Sequence, residues 1–398
     1  MPPVTTTRRV DQNVDMMVRL PGGSGVGDSV LMASPLRVAV TLEQCWHQVP
    51  GGVASSALDA VRALQQHRDL DLVGVSARHL RPPDPPWVPS IPVRPLLLPR
   101  RVLYDSWHRL RRPAVEQATG PVDVVYVTGM AVPPASAPLV VTVHDLAFLA
   151  EPGHSTPRGI RFFNRAVELA RTDARLVCCP SQDTIDSCIA YGFDPALLRL
   201  VPWGVDDRRV TPDEVERVRS IYRLGHPFVL WTGTVEPRKN LPVLIDAFRR
   251  LDRHGVELVL VGPKGWNEDL RSHLGTAAGR IRTLGFVPDD DKRALYAAAS
   301  VFCLPSRHEG FGLPVLEAMA QGCPVVTSSG TATAEVAGDA ALLVDPSDVN
   351  AVATALAAVL DDDGLAARLS AASLARVVEF PWSRTADLLV AAFREAVS

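Results

Sequence analysis

Two glutamates, Glu309 and Glu317, stand on either side of a helix-breaking sequence in HEGFGLPVLEAMAQG, residues 308–322. Glycine and proline both interrupt helices, so one continuous helix cannot carry both acids. Pro314 suits the first turn of a helix. We therefore expect Glu309 in a loop after a strand, and Glu317 in the first turns of the helix that follows.

The backbone at this break is also predicted to bind a ligand. N–H groups at a helix N-terminus lack partners within the helix, so they attract anions and hydroxyl oxygens. Here they belong to the residues around Phe311, Gly312 and Leu313. Glu317 suits the two vicinal hydroxyls of a ribose, whereas a purely structural glutamate at this position would only complement the helix dipole.

A second segment, WTGTVEPRKNLPVLIDAF at 231–248, carries two adjacent cations before an apolar helical pattern. A glycine turn at Gly233 follows the strand, and Arg238 and Lys239 come next. An arginine fork and a lysine point charge together suit a diphosphate. They would also stabilise the negative charge on a departing phosphate. The alternative for this segment taken alone is a solvated basic pair.

The first half of the chain offers two weaker candidates. His144 ends an apolar run in TVHDLAFL, where it could donate a hydrogen bond or share a proton, with Asp145 fixing its orientation. Gly51 and Gly52 form a glycine loop after the first strand and would let the backbone approach a ligand. A structural histidine and a plain turn are the alternatives. Ser181 is weaker still, because helix capping by Ser181 or Asp183 explains it equally well.

The elements that must position these residues follow a regular order. Short apolar runs predict strands at 36–41, 71–75, 122–127, 139–143, 175–179 and 198–202, and again at 228–233, 257–262, 280–286, 300–305, 323–328 and 341–345. Helical patterns fall between several of them, at 158–174, 182–191, 241–254, 290–299, 314–321 and 350–361. This alternation is typical of parallel sheets covered by helices on both faces, which bind ligands beyond the carboxyl ends of their strands. The predicted fold class is α/β, with two Rossmann-like doubly wound domains facing a cleft.

The length of 398 residues fits two domains. The predicted divisions are a disordered tail at 1–34, an N-terminal acceptor domain at 35–205, a C-terminal donor domain at 206–381 and a terminal helix at 382–398. A proline-rich loop without a helix is expected at 81–95. GGSGVGDS in the tail lacks the Gly-Lys-Ser/Thr ending of a phosphate loop.

Composition excludes several classes of function. The formal net charge of −3 argues against sequence-independent nucleic-acid binding. The six cysteines form no CxxC pair, so we expect buried thiols rather than zinc ligands or disulfides. With no signal peptide and no apolar run of about 18 residues, a cytoplasmic protein is expected. The basic stretch 100–112 predicts either a solvated helix face or peripheral contact with the anionic inner face of a membrane.

EPRKN at 236–240, followed by EGFGLPVLEA at 309–318, resembles the retaining nucleotide-sugar glycosyltransferases of family GT4, which have the GT-B architecture. The resemblance implies that Arg238 and Lys239 bind the donor diphosphate and that Glu317 holds the ribose. It assigns Glu309 and the backbone of Gly310, Phe311, Gly312 and Leu313 to the transferred sugar. It also places the base at Phe286 and Val287, and makes His144 a catalytic candidate. HDLAFL resembles a branch rich in mannosyltransferases, which favours GDP-mannose over a UDP-sugar.

The resemblance further implies transfer of a hexose, with retained configuration, to a hydroxyl of a glycan, a lipid-linked molecule or a small molecule. Polysaccharide, glycolipid or cell-envelope glycan synthesis is the expected setting. No cofactor or metal is predicted, since Arg238 and Lys239 can replace a metal's charge. Two alternatives stay open: a GT-B nucleotide-sugar epimerase and a non-catalytic sugar-nucleotide-binding subunit. A nicotinamide dehydrogenase would need a GxGxxG after a strand, which this sequence does not contain.

Overall fold

The computed structural model describes residues 34–150, 157–251, 253–263 and 279–398. The predicted disordered tail at 1–34 lies outside the described residues, apart from its last residue. The phosphate-loop-like GGSGVGDS lies outside them as well.

The first sheet consists of parallel strands whose residues are mostly buried, as expected for a sheet covered on both faces. In chain order they are β1 Leu36–Thr41, β2 Leu70–Ser76, β3 Val93–Pro95, β4 Val124–Val127, β5 Leu139–Thr142, β6 Ala174–Cys179 and β7 Leu198–Leu200. Their order across the sheet is β3-β2-β1-β4-β5-β6-β7. The helices that connect them are α1 Gly51–Leu64, α2 Arg100–Leu110, α3 Glu116–Thr119, α4 Ala147–Ala150, α5 Pro157–Asp173 and α6 Gln182–Ala190.

The second sheet is also parallel. Its strands are β8 Phe228–Thr232, β9 Glu257–Val261, β10 Ile281–Gly285, β11 Val301–Leu304, β12 Val325–Ser328 and β13 Leu342–Val344. They are arranged β10-β9-β8-β11-β12-β13. The helices of this part are α7 Pro212–Ile221, α8 Leu241–Arg250, α9 Asp289–Ala298, α10 Leu313–Ala320, α11 Ala332–Ala337, α12 Val349–Asp361 and α13 Asp363–Val377, and α14 Trp382–Val397 ends the chain. Single-turn 3₁₀ helices lie at Glu43–Trp46, Pro195–Leu197, Pro237–Lys239 and Gly338–Ala340.

The α/β, doubly wound prediction is confirmed, with local corrections. The proline-rich region does lack a helix, but it ends in β3, a three-residue edge strand that tolerates Pro95. Helix α13 was not predicted, although its alanine-rich sequence has high helix propensity. The expected glycine loop at 50–55 is instead the start of α1, which begins at Gly51.

The last helix packs against the first sheet. The rings of Phe393 and Tyr126 lie 5.3 Å apart, and Thr385 Oγ1 donates to the carbonyl of Pro202 at 2.7 Å. A side chain on Gly204 would come within 2.5 Å of the backbone of Trp382, so the crossing requires glycine. The domain boundaries at 205 and 381 stay a prediction.

All six cysteines are buried free thiols, as expected from the sequence. Within the described part of the chain, no helix is long and apolar enough to cross a membrane.

Candidate functional site

A cavity of about 510 Å³ is lined by loops that follow strands of both sheets. Every residue that the sequence assigned to catalysis or donor binding lies on its wall, whereas the weaker candidate Ser181 does not. These are Gly51, Gly52, His144, Gly233, Arg238, Lys239, Phe286, Val287, Glu309, Gly310, Phe311, Gly312, Leu313 and Glu317. The chain therefore brings the predicted residues together, while their individual roles stay predictions.

The break between the two glutamates has the predicted form. Strand β11 ends at Leu304, Glu309 lies in the following loop, and α10 begins at Leu313 with Glu317 in its second turn. Gly312 caps the helix in the left-handed region, with φ of 102°. A Cβ on Gly312 would lie 2.8 Å from the Thr333 side chain, so both conformation and space require glycine.

Glu309 is buried and held by three donors. Lys239 Nζ lies 2.6 Å from its Oε1, Arg238 Nη1 lies 3.0 Å from its Oε2, and Ser306 Oγ donates to Oε1 at 2.7 Å. Burial alone would raise the pKa of Glu309, but Lys239 and Arg238 outweigh it and lower that pKa to about 2. Glu309 is therefore a fixed anion throughout the neutral range.

Arg238 is shared between two carboxylates. It forms ion pairs with Glu309 and with Glu236, whose Oε1 lies 2.7 Å from Arg238 Nη2. Burial acts to lower the pKa of Arg238, but Glu309 and Glu236 raise it overall. Sequence reasoning missed Glu236 as a member of the site, although it lies inside the quoted EPRKN motif. The predicted cationic pair is thus part of a buried network of alternating charge.

Glu317 is held by two side chains of α9 that the sequence did not identify. Lys292 Nζ lies 2.9 Å from Glu317 Oε1, and the Tyr296 hydroxyl donates to Oε2 at 2.9 Å. Tyr296 is also within 2.6 Å of Thr232 Oγ1, at the end of β8. Lys292 and Tyr296 are four residues apart and therefore lie on one face of α9. This spacing is the sequence signal that could have identified them as a pair. The network leaves Glu317 oriented before any ligand arrives.

His144 is oriented by the backbone and not by Asp145, which corrects the sequence expectation. His144 Nε2 donates to the carbonyl of Thr128 at 2.9 Å. Asp145 Oδ1 instead accepts from the N–H of Ala147, the first residue of the short helix α4, at 3.0 Å. Burial lowers the pKa of His144, so the ring is neutral at neutral pH, with Nδ1 as the acceptor nitrogen.

The two glycines of the first domain lie at the N-terminus of α1 and not in a separate loop. Gly51 has a φ of 62°, in the left-handed region, and a Cβ on either glycine would meet nothing within 4 Å. No side chain caps this helix or α10. Two uncapped helix N-termini therefore open onto one cavity, an arrangement that favours an anion between them.

The cavity wall also carries one exposed and one buried apolar side chain. Phe286 is 62% exposed, whereas Val287 is 4% exposed. The turns that follow β8 and β9 pack closely against each other, since a Cβ on Gly262 would lie 1.8 Å from the carbonyl oxygen of Gly233. Gly262 was missed by sequence reasoning, although a glycine follows β9 just as Gly233 follows β8.

The glutamate loop also touches the first half of the chain. A Cβ on Gly310 would lie 1.8 Å from the carbonyl oxygen of His144. Ser181 Oγ donates to the Gly310 carbonyl at 2.7 Å while accepting the N–H of Thr184 as the cap of α6. Ser181 thus caps α6, as the alternative of helix capping predicted. It also binds the loop that carries Glu309.

A carboxylate from the second half reinforces this contact. Glu335 accepts the N–H groups of Gln182 and Asp183 at 2.8 and 2.7 Å, at the N-terminus of α6. A carboxylate at a helix N-terminus is favourable, so this contact fixes how the two halves of the cavity meet.

Comparison with known proteins gives matches over most of the described chain. The family models "Glycosyltransferase Family 4" and "Glycosyl transferases group 1" match residues 50–209 and 226–362. O-antigen chain mannosyltransferase B of Escherichia coli is 35% identical over 265 residues, which are 64% of this chain and 70% of that protein. MMP alpha-(1->4)-mannosyltransferase of Mycolicibacterium hassiacum is 33% identical over 279 residues, 66% of either protein.

A solved structure supports the fold. Anabaena Alr3699/HepE, in complex with UDP and glucose, is similar with a TM-score of 0.69 and 20% identity, over 89% of this chain and 98% of that one. At this level of identity the similarity concerns the fold alone, and it confirms the predicted GT-B class.

Proposed function

The chain belongs to the group 1 glycosyltransferases of family GT4 and is a hexosyltransferase, and we propose that it transfers mannose from GDP-mannose to a hydroxyl acceptor with retention of configuration. The observation that carries this proposal is the buried Lys239–Glu309–Arg238 network, which faces two uncapped helix N-termini. That combination supplies cations and N–H groups for a diphosphate and a fixed carboxylate for sugar hydroxyls.

The donor is proposed to lie along the cavity in one direction. Glu317 receives the ribose hydroxyls, because Lys292 and Tyr296 hold its carboxylate ready. The base lies against Phe286 and Val287, and the diphosphate reaches Arg238, Lys239 and the N–H groups of α10. The transferred sugar then lies beside Glu309.

The proposed reaction takes place on one face of the sugar. The bond between the anomeric carbon and the diphosphate oxygen breaks, and the acceptor oxygen bonds to the same carbon. The acceptor proton passes to the leaving diphosphate. Arg238 and Lys239 stabilise the charge that develops on that leaving group, and the neutral His144 lies close enough to the cavity to accept a hydrogen bond from a sugar hydroxyl.

Mannose is favoured by the relatives and by the HDLAFL motif. Both reported relatives are mannosyltransferases by name, while the solved neighbour contains UDP and glucose. Neither family match favours an epimerase or a non-catalytic subunit. Glycan, lipid-linked and small-molecule acceptors all remain in the proposal, as does membrane contact by residues 100–112.

A donor panel tests the proposal. Binding of GDP-mannose, UDP-glucose and UDP-N-acetylglucosamine should be measured by calorimetry, and their turnover by release of the nucleoside diphosphate. GDP-mannose should bind most tightly and turn over fastest. A clear preference for either UDP-sugar would refute the assignment of the donor, and no turnover with any donor would refute the catalytic role.

A further inference from the structure

A second cavity, of about 460 Å³, adjoins the donor cavity. His144, Asp145, Glu236 and Arg238 line both cavities. Most of its other lining residues come from the first half of the chain, from the segments that follow β1 and β4 and from α2, α4 and α5. A molecule in this second cavity would therefore reach the donor next to Arg238, which pairs with Glu309, the residue proposed to lie beside the transferred sugar.

A row of aromatic rings forms one part of the second cavity's wall. The ring centroids of Tyr104 and Phe162 are 5.7 Å apart, those of Phe162 and Phe163 are 5.5 Å apart, and those of Phe163 and Phe148 are 5.0 Å apart. All four side chains are only partly buried and line the cavity. The four rings make this part of the wall largely apolar, and a ligand with one apolar face could pack against it.

The second cavity also has a polar wall, beside apolar residues such as Val49, Val53 and Met130. Glu43 is 3% exposed, accepts the N–H of Ala77 at 2.7 Å and lies 2.9 Å from His79 Nε2. Gln44 Nε2 donates to Thr128 Oγ1 at 2.7 Å. Fixed groups of this kind suit ligand hydroxyls, which both donate and accept hydrogen bonds.

The charges of the second cavity disfavour an anionic ligand. Among its described lining residues, three carboxylates (Glu43, Asp145 and Glu236) accompany a single arginine, Arg238, and no lysine. Arg238 already pairs with Glu236 and Glu309. Burial lowers the pKa of His47 to about 4, so this side chain adds no positive charge at neutral pH. Among the described lining residues, a phosphate would therefore meet three carboxylates and an arginine that is already paired.

Building on the proposed transferase function, we propose that the second cavity is the acceptor site, that it binds the terminal sugar ring of an uncharged glycan, and that it rejects phosphorylated acceptors. The C–H face of the ring lies on the aromatic row. The ring hydroxyls bind the polar wall, and one of them points towards the shared residues at Arg238. That hydroxyl becomes the nucleophile and gives its proton to the leaving diphosphate.

Saturation-transfer NMR with GDP-loaded protein tests this proposal directly. Mannotriose and the same trisaccharide carrying a 6-phosphate on its terminal ring are the two probes. We expect saturation transfer to the terminal ring of the neutral probe and none to the phosphorylated one. Equal or stronger binding of the phosphorylated probe, or no binding of the neutral one, would overturn the proposal. Because GDP binding is measured separately by calorimetry, failure of the donor site is distinguishable from failure of the acceptor assignment.

Two variants test whether mannotriose binds in the second cavity. Phe162→Leu should weaken binding of mannotriose about tenfold and leave GDP affinity unchanged. Because Phe162 also stacks on His108, Ala131→Trp serves as a second variant that fills the cavity without removing packing. Tyr191→Leu, a partly exposed aromatic outside the cavity, is the matched control. Unchanged mannotriose binding in both cavity variants would contradict the assignment.

Discussion

Lys239 Nζ lies 2.6 Å from Glu309 Oε1, although 70 positions separate the two residues in the chain. Both side chains are almost fully buried, at 8% and 6% exposure. A buried pair of this kind is costly to break, because removing one charge leaves the other without compensation. We propose that the two residues have different roles in catalysis: Lys239 contacts the diphosphate, and Glu309 contacts the transferred sugar.

Glu309→Gln should lower the transfer rate at least about a hundredfold, in the range measured when a fixed polar group is removed from an active site. The amide keeps the shape of the side chain but loses the charge that balances Lys239 and Arg238. Single-turnover kinetics would measure the effect. Glu379→Gln is the control, because the side chain of Glu379 makes an exposed ion pair with Arg376. A rate near that of the wild type would remove Glu309 from the mechanism.

Glu317→Ala should mainly weaken donor binding, by roughly tenfold to a hundredfold, because it removes a proposed charged partner of the ribose hydroxyls. Calorimetry with GDP, and with a diphosphate lacking the nucleoside, separates the two parts of the donor. Only the binding of GDP should fall. An equal loss for both ligands would indicate that Glu317 acts through the fold.

Gly310→Ala should abolish transfer, because the new Cβ would lie 1.8 Å from the His144 carbonyl oxygen and force the two halves of the cavity apart. Gly225→Ala is the matched control, since a Cβ there meets nothing within 4 Å. Circular dichroism should show both variants folded. Transfer by Gly310→Ala at the rate of the control would show that the close contact is not needed for catalysis.

Asp59→Asn should stabilise the protein at high pH and not at low pH. Burial raises the pKa of Asp59 to about 6; Arg62 opposes the shift, while Glu317 and Asp289 add to it. A carboxyl with a raised pKa in the folded state favours folding when protonated, and that contribution is lost as the pH rises through about 6.

Thermal unfolding between about pH 4 and about pH 8 checks this sign. The gain in Tm from Asp59→Asn should grow as the pH rises. Arg62→Met should have the opposite effect at high pH, because it removes a cation that lowers the pKa of Asp59. A gain in Tm that does not depend on pH would show that the carboxyl titrates alike in the folded and unfolded chains.

Chelation should leave turnover unchanged, because Arg238 and Lys239 are proposed to supply the positive charge at the leaving diphosphate. Initial rates are compared between protein that has been treated with EDTA and then dialysed and protein that has only been dialysed. An irreversible loss of activity in EDTA would show that a metal ion contributes to the reaction.

The sequence predicted the fold class and the segments of the site because both depend on local patterns. Strand runs such as FVLWT and VFCL are almost entirely apolar, and the glycines and Pro314 mark where the chain leaves strand or helix. These signals lie within a few residues of the positions they predict.

The partners of the site residues were not predictable in the same way. Tyr296 reaches Glu317 from a helix 21 positions earlier, and Ser181 reaches Gly310 across 129 positions. Such pairs depend on how strand order brings distant loops together, and one sequence does not specify that order. The misplacement of Gly51 and Gly52 has a different cause, since glycines in PGGVAS suit a loop and a helix start alike.

The stereochemistry of the product tests the central claim most directly. The protein should be incubated with GDP-α-mannose and mannotriose, and the new anomeric centre identified by one-bond carbon–hydrogen coupling in the NMR spectrum. Retaining transfer predicts a tetrasaccharide with a new α-mannosidic bond, formed at a rate that falls sharply in Glu309→Gln. A β-mannosidic product, or release of free mannose alone, would contradict the account.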